Sequence, residues 1–458
     1  MRMNLVCSAL GLTALFTTPA LAQAPTWQVD LAPDNIGYGR HYLYSALDAD
    51  GNLFVTGSGR NIPADAEQWL WVEKLDADGH SLWSSEWVNP NGMVSPRGIV
   101  VDGQGDAYVV TTAASAVFRT TCCDASGGQY QDNVEEQVTV KLAGASGAVA
   151  WTRSFAKATS TGVAPFDIML DSLGRIVTSG SYSEPYVVTK VYRQVLTSAG
   201  NVAWSALEAE ANYEGPCAAG ANGALVCVSS GSPLNDLNRN VKVYKYTKTG
   251  ALSWSKVIDD QALPNVAADV AIDGAGNVLV TGYNMAAGNV RPVVNMRLKG
   301  NSGALMWLQR VALNKAVLNS GTTAPEDYQE LVPTTQGDFV VITGDSYPSP
   351  SGGNLIDNVL MRIDTATGNV EWTARRSGWA FAKEVDGQGN PVVTSAGALG
   401  NQLRSFDAAT GALRSEIALT TGFSETLAID PVSERSYVSG TTTNPLDYSR
   451  TGHTAVYE

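Results

Sequence analysis

The chain has 458 residues, and its 44 acidic and 30 basic side chains give a formal net charge of -14 at pH 7. A surface this acidic repels phosphate backbones and anionic lipid headgroups, so nucleic acid is not expected as a partner. The length also exceeds what one hydrophobic core usually supports, which requires either several domains or a repeat architecture.

The first 22 residues have the three-part layout of a secretory signal peptide. Arg2 precedes an apolar run over residues 5–16, and a small-residue motif ends at Ala22. The run is too short to span a bilayer, and no later stretch approaches about 20 unbroken apolar residues. We therefore predict cleavage after Ala22, no membrane insertion, and a secreted or periplasmic product.

A half-repeat recurs eight times along the rest of the chain, as an apolar strand, a turn, and a second strand rich in small or hydroxyl residues. The copies are SALDADGNLFVTGSG, GIVVDGQGDAYVVTT, IMLDSLGRIVTSGSY, AAGANGALVCVSSGS, VAIDGAGNVLVTGYN, LVPTTQGDFVVITGD, KEVDGQGNPVVTSAG and LAIDPVSERSYVSGT. Seven copies carry a turn glycine, namely Gly51, Gly105, Gly174, Gly223, Gly276, Gly337 and Gly389. Glycine, Asn and Asp tolerate the positive φ of tight turns, so the copies predict antiparallel hairpins.

A second half-repeat lies between these copies and places a tryptophan four residues after a turn glycine. The pairs are Gly79 and Trp83, Gly147 and Trp151, Gly200 and Trp204, Gly250 and Trp254, Gly303 and Trp307, and Gly368 and Trp372. The seventh copy has Arg414 and Ser415 after Gly411, without a tryptophan. One tryptophan per repeat at a fixed strand position predicts packing between repeats.

Two hairpins per repeat predict an all-β fold, an eight-bladed β-propeller of four-stranded antiparallel blades. After the eighth hairpin only the strand HTAVYE remains, and APTWQVDLA near the N-terminus, with Trp27, supplies the missing outer strand. We predict that residues 23–458 form a single propeller domain whose last blade is closed by the N-terminal strand, with seven blades as the alternative. A closed ring needs no partner for stability, so we expect a monomer.

The repeats resemble those of known propeller families. DADGNLFVTG and DGAGNVLVTG look like the repeats of bacterial SBBP propellers, while IDTATGNVEW and FDAATGALRS look like those of the quinoprotein dehydrogenase superfamily. The resemblance covers nearly the whole mature chain and implies the propeller fold. Such propellers serve as dehydrogenases, lyases, assembly factors and adhesive modules, so the resemblance leaves the function open.

The cysteines suggest one disulfide and one further possibility. Cys217 and Cys227 flank a turn and would lie on neighbouring antiparallel strands, where a bridge is geometrically plausible. Cys122 and Cys123 are adjacent and can pair only with each other or stay reduced. With Asp124 they resemble the Cys-Cys-Asp triplet of quinoprotein alcohol dehydrogenases, although the sequence after the triplet departs from that family. The resemblance implies pyrroloquinoline quinone (PQQ) with calcium as an alternative cofactor; otherwise we predict no cofactor and no metal.

The loops that enter the inner strands of a propeller cluster around its axial channel, where ligands usually bind. We expect this channel face to gather Arg40, His41, Tyr42, Tyr44, Arg97, Asp167, Asp269, Glu330 and Lys383. Aromatic side chains beside Arg and carboxylates suit a sugar acid or another polar ligand. A Tyr and His pair could also act as acid and base in β-elimination.

The leading hypothesis is an exported, noncatalytic binding or protein-interaction propeller, with a protein or carbohydrate ligand at the channel face. It depends on the regular repeats, on a total of 3 histidines, and on a sequence without a clear catalytic constellation. One alternative is a polysaccharide lyase or hydrolase acting at the channel mouth. The other is a PQQ-dependent dehydrogenase, and the sequence identifies catalytic residues for neither.

Overall fold

The computed structural model describes residues 24–31, 43–60, 68–89, 94–120, 129–155, 162–183, 189–208, 213–231, 240–258, 265–284, 292–313, 329–334, 337–348, 354–397, 400–419, 423–443 and 450–458. Within these ranges the only helical element is a short 3-10 turn at Ala221–Gly223. No helix in the described part of the chain is long and apolar enough to cross a membrane.

The strands form eight four-stranded antiparallel sheets, which are the blades of a propeller. Blade 1 consists of β2 (Tyr44–Leu47), β3 (Leu53–Arg60), β4 (Gln68–Leu75) and β5 (Ser81–Val88). Blade 2 consists of β6 (Val94–Val101), β7 (Ala107–Thr120), β8 (Gln129–Leu142) and β9 (Val149–Phe155). Blade 3 consists of β10 (Gly162–Leu170), β11 (Ile176–Ser183), β12 (Lys190–Leu196) and β13 (Val202–Glu208). Blade 4 consists of β14 (Tyr213–Ala219), β15 (Leu225–Ser230), β16 (Val241–Tyr246) and β17 (Leu252–Ile258). Blade 5 consists of β18 (Asn265–Ile272), β19 (Val278–Asn284), β20 (Val293–Leu298) and β21 (Leu305–Val311). Blade 6 consists of β22 (Gln329–Pro333), β23 (Phe339–Pro348), β24 (Asn354–Ile363) and β25 (Val370–Ser377). Blade 7 is β26 (Trp379–Val385), β27 (Pro391–Gly397), β28 (Gly400–Phe406) and β29 (Leu413–Ala418).

Blade 8 joins the two ends of the chain. It consists of β30 (Phe423–Ile429), β31 (Ser436–Thr443), β32 (Arg450–Tyr457) and, as its outer strand, β1 (Trp27–Asp30). Trp27 pairs with Val456 in the antiparallel register. The prediction of eight blades with an N-terminal closing strand is therefore confirmed, and the seven-bladed alternative is wrong. Closure protects two strand edges that an open array would expose.

Apolar side chains fill every boundary between neighbouring blades, which we call a seam. Phe54 and Val72 of blade 1, for example, share a buried cluster with Val109 and Val140 of blade 2. Comparable clusters fill the other seven seams, including the one that joins blade 8 to blade 1. Each blade thus buries apolar side chains on both of its faces.

The repeated tryptophans hold the seams at their outer edge. Each indole packs on a turn glycine of the next blade, as Trp27 on Gly79, Trp83 on Gly147, Trp151 on Gly200, Trp204 on Gly250, Trp254 on Gly303, Trp307 on Gly368 and Trp372 on Gly411. Six of these indole N–H groups also donate to a backbone carbonyl of the next blade, at 2.9–3.2 Å. A Cβ atom on Gly147 would lie 2.6 Å from the Trp83 ring, so the contact itself requires glycine. The predicted packing role of the tryptophans is confirmed.

The aspartates that begin the hairpin turns organise the backbone. Asp48 accepts hydrogen bonds from the backbone N–H groups of Asp50 and Asn52, at 3.0 and 2.9 Å. Its other carboxylate oxygen lies 3.0 Å from the Lys74 ammonium. These interactions account for Asp at this position by turn geometry.

Candidate binding site in the axial channel

The first strand of every blade lies on the axis, and each of these inner strands contacts the inner strands of the neighbouring blades. They surround a channel, and described residues of the inner strands line two cavities in it. The entry cavity, of about 350 Å³, is lined by Phe166, Asp167, Pro216, Cys217, Ala268, Asp269, Gln329 and Glu330. It lies closer than the second cavity to the ends at which the chain enters the inner strands. The entry cavity is therefore the counterpart of the predicted channel mouth.

β-Bulges shape the inner strands around this cavity. In blade 3 the register shifts between Pro165 and Asp167, which leaves Phe166 as the extra residue. The inner strands of blades 2, 5, 7 and 8 have a bulge at the corresponding position, and blade 4 has a related irregularity. A bulge redirects the side chain of its extra residue. Phe166 accordingly lines the channel and is 46% exposed.

Three carboxylates of the entry cavity come from the same register position of different blades. Asp167, Asp269 and Glu330 each stand three residues before the end of their inner strand, in blades 3, 5 and 6. Tyr44 has the corresponding position in blade 1. The repeat thus converts three widely separated acidic residues into neighbours around one axis.

Lys383 of blade 7 completes the cluster. Its ammonium group forms an ion pair with the Glu330 carboxylate and lies 3.9 Å from Asp269. Asp269 also accepts a hydrogen bond from the backbone N–H of Leu331, at 2.7 Å, and so links blade 5 to blade 6. The corresponding position in the other blades is mostly apolar, so Lys383 is an exception to the packing pattern.

Asp167 has an unusual protonation equilibrium. Burial, together with the nearby charge of Asp269, raises the pKa of Asp167 to about 6, against the lowering effects of the Ile168 backbone N–H and of Arg193. The Ile168 N–H donates to Asp167 at 2.8 Å. The Asp167 carboxyl therefore changes charge close to neutral pH, unlike an ordinary surface aspartate.

Arg193 is a fully buried cation next to this site. Its guanidinium forms an ion pair with Glu208 at 3.2 Å and donates to the carbonyl oxygens of Gly215 and Val228, at 2.9 and 2.7 Å. Tyr246 of blade 4 donates to the same Glu208 carboxylate at 3.1 Å. These bonds hold blades 3 and 4 together and place a fixed positive charge beside the channel.

A second cavity, of about 420 Å³, follows the channel toward the other ends of the inner strands. It is lined mostly by apolar residues of blades 1, 2, 3 and 8, among them Ile99, Met169 and Ile429. Glu384 of blade 7 is its one acidic lining residue. The polar chemistry of the described channel is thus concentrated in the entry cavity.

The structure brings together only some of the residues that the sequence assigned to the channel face. Asp167, Asp269, Glu330 and Lys383 lie close to one another, whereas Tyr44 packs against the apolar seam between blades 1 and 2. Arg97 is the exposed bulge residue of blade 2 and does not line the entry cavity. Arg40, His41 and Tyr42 lie outside the described residues.

The predicted bridge between Cys217 and Cys227 is present, with an S–S distance of 2.01 Å. The two cysteines are directly paired on β14 and β15, and both are buried in the seam between blades 3 and 4. Cys217 also lines the entry cavity. Cys122 and Cys123 lie outside the described residues, so their vicinal disulfide stays a prediction.

Sequence reasoning missed four residues of the entry cavity, namely Phe166, Pro216, Ala268 and Gln329, and it assigned Cys217 only to the disulfide. Phe166 and Pro216 lie at irregular points of their strands, and an alternating strand pattern does not show which way such residues point. The inner strands of blades 1 and 6 have no such irregularity, and Gln329 of blade 6 lies on one of these regular strands.

Comparison with known proteins supports the fold and the repeat type. A family model described as outer membrane protein assembly factor BamB, a PQQ-like repeat model, matches residues 240–444. The crystal structure of Sqt1 from Saccharomyces cerevisiae is similar with a TM-score of 0.54, 10% sequence identity, and coverage of 96% of this chain and 99% of that chain. The Dos1 propeller is similar with a TM-score of 0.54, 7% identity, and coverage of 94% and 95%. A comparison with curated protein sequences gives no match.

The two solved structures show the fold alone, because their identity to this chain is so low. The family model adds that the repeats from blade 4 to blade 8 are PQQ-like. The propeller fold and the family model support a propeller of PQQ-like repeats with a binding or interaction role. The resemblance to SBBP repeats stays a prediction.

Proposed function

We propose that this chain is an exported, noncatalytic β-propeller that binds a partner protein at the entry cavity through a basic side chain of that partner. The observation that carries the proposal is the placement of Asp167 and Asp269 beside the exposed ring of Phe166. An Arg or Lys side chain fits both features, with its stem on the ring and its cation at the carboxylates.

The interactions of the cluster favour recognition over catalysis. Lys383 is paired with Glu330, and Asp269 is held by a backbone N–H group, so both serve to fix charge in place. The matched family is described as an assembly factor, which agrees with a protein ligand. The Cys217–Cys227 disulfide and the signal-like residues 1–22 support export to an oxidising compartment.

The test measures binding of a fluorescein-labelled peptide, Gly-Arg-Gly-Arg-Gly, by fluorescence anisotropy at pH 7.5. Asp167→Asn removes one carboxylate, and we expect about tenfold weaker binding, or roughly 1.4 kcal/mol. Glu86→Gln removes the same charge from the exposed outer strand of blade 1 and should leave the affinity unchanged. Wild-type affinity should also fall below pH 6, as Asp167 becomes protonated.

Three results would contradict the proposal. The first is equal peptide affinity in Asp167→Asn and wild type. The second is binding of acidic or neutral oligosaccharides in preference to the peptide, which would favour the carbohydrate ligand. The third is release of an unsaturated uronic product from a uronic-acid polymer, which would replace the noncatalytic role by the lyase alternative.

A further inference from the structure

The seam between blades 7 and 8 differs from the seven seams that a tryptophan closes. Ser405 of β28 pairs with Ser415 of β29, which is the register that Lys74 and Trp83 have in blade 1. Ser415 therefore occupies the tryptophan position of blade 7. Seven seams of the ring contain an indole at this position, and this one contains a hydroxymethyl group.

Blade 8 also lacks the turn glycine on which such an indole packs in the other seams. In blades 1 to 7 the third and fourth strands are consecutive, and the turn between them provides the glycine. The third and fourth strands of blade 8 are β32 and β1, which are not consecutive, so no tight turn joins them. The replacement of tryptophan by Ser415 thus follows from the way the ring closes.

A cavity of about 530 Å³ stands where the indole would be. This seam cavity is lined by Asp386, Val392, Leu403, Ser405, Arg414, Ser415, Glu416, Ile417, Ile429, Glu434, Ser436, Tyr457 and Glu458. One wall of the cavity is Val392, which has the same register position in blade 7 as Phe54 in blade 1. The ring centroids of Phe54 and Trp83 lie 5.6 Å apart, so Phe54 is a wall of the Trp83 site. The cavity therefore keeps the apolar walls of a tryptophan site.

The rim of the seam cavity supplies hydrogen-bond acceptors. The carboxylates of Glu416, Glu434 and Glu458 line it, and an indole N–H needs one acceptor of this kind. Arg404 and Arg435 pair with Glu416 and Glu458, at 2.7 and 3.0 Å, which holds these carboxylates at the rim.

The turn beside the cavity exposes an apolar side chain. Val432, at the tip of this turn, is 90% exposed and is the most exposed large hydrophobic side chain of the described residues. Glu434 holds the positive-φ position of the turn, with a φ of 60°, as Gly411 does in the turn of blade 7 that has the same backbone hydrogen bond, and its side chain accepts a hydrogen bond from Gln388 of blade 7 at 3.0 Å. An exposed apolar side chain next to an apolar cavity is typical of a contact surface.

We propose that the seam cavity binds an aromatic side chain, an indole by preference, carried by a partner polypeptide. The indole would complete the ring of seam contacts from outside and donate its N–H to a rim carboxylate. Val432 would contact the residues that flank it, which is why we infer a polypeptide and not a free aromatic molecule. This site is independent of the entry cavity, since it involves different residues of different strands.

The test uses the full chain and a five-residue peptide, Gly-Gly-Trp-Gly-Gly, that carries 5-fluorotryptophan, observed by fluorine NMR. The fluorine signal should shift and broaden with wild type. Ser415→Trp fills the cavity from within, as in the other seams, and should weaken binding at least tenfold. Ser205→Trp adds the same side chain to an exposed position on the outer strand of blade 3 and should leave binding unchanged.

Melting temperatures identify any variant that fails to fold. If Ser415→Trp does not fold, it is replaced in the comparison by Ser415→Leu, whose smaller side chain also occupies the cavity. The proposal is overturned if the peptide causes no shift, or if a folded Ser415 variant binds as well as wild type. Equal affinity for the peptide and for N-acetyl-5-fluorotryptophanamide would overturn the inference of a polypeptide partner. A loss of entry-cavity binding in Asp167→Asn has no effect on this test, so the two proposals fail separately.

Discussion

The contact between a seam tryptophan and its turn glycine can be measured with a matched pair of substitutions. Gly147 has a φ of 70° and would place a Cβ atom 2.6 Å from the Trp83 ring. Gly174 has a φ of 69°, and a Cβ atom there would meet nothing within 4 Å. Replacing either glycine by Ala imposes the same left-handed backbone strain, and only Gly147→Ala adds a collision with an indole.

The backbone strain and the collision with the indole make separate contributions to the loss of stability. A left-handed backbone costs an L residue about 1 to 2 kcal/mol, which is the whole effect expected for Gly174→Ala. Overpacking adds about 1 to 3 kcal/mol more, so Gly147→Ala should lose about 2 to 5 kcal/mol of the free energy of unfolding. The excess arises because the Trp83 ring is held by a hydrogen bond from its N–H to the Gly144 carbonyl at 2.9 Å and has little room to move.

Urea unfolding followed by circular dichroism measures the loss of unfolding free energy in each variant under the same conditions. Equal m-values in the two variants would show that they unfold to the same extent. Equal losses of stability in Gly147→Ala and Gly174→Ala would refute the reasoning, because they would mean that the indole contact adds nothing to the backbone strain.

Three further outcomes are expected. Trp254→Phe should lose about 1 kcal/mol more stability than Trp204→Phe in urea unfolding, because the Trp254 N–H donates a hydrogen bond whereas the buried Trp204 N–H has no partner among the described residues; equal losses would contradict this. Replacing Cys217 and Cys227 together by Ala should lower the unfolding free energy by about 3 kcal/mol, and dithiothreitol should then have no further effect on the melting temperature. Asp167→Asn should be about 1 to 2 kcal/mol more stable than wild type at pH 7.5 and equal to it at pH 4. The pKa raised from 3.8 to about 6 means that native Asp167 binds a proton more tightly than the unfolded chain does, so the wild type loses stability as the pH rises between these values. A constant difference in stability across this range would contradict the prediction.

The fold could be predicted from the sequence because every repeat of a propeller has the same structural requirements. Most turns that need positive φ have glycine, and seven seams have tryptophan, so both appear at regular spacing in the chain. Trp27 and the unpaired strand HTAVYE showed where the ring closes. The disulfide was predictable for a similar reason, since Cys217 and Cys227 flank a turn and are directly paired on adjacent strands.

The candidate sites depended on the tertiary structure. The sequence selected Asp167, Asp269, Glu330 and Lys383 as channel residues, but only the bulges and the register of the inner strands show that Lys383 pairs with Glu330 and that Phe166 lines the cavity beside them. Tyr44 was assigned to the same face, yet it packs in a seam.

The sequence by itself therefore determined the number of blades, the closure and the structural tryptophans, since these follow from local rules that act within one repeat. Only the tertiary structure decided which side chains meet in the channel and that a cavity stands at the seam of blades 7 and 8. Both depend on how residues of different repeats are placed, as with the ion pair of Asp269 and Lys383 or with Ser415 and Tyr457, which line the same seam cavity. Local periodicity carries no information about such contacts.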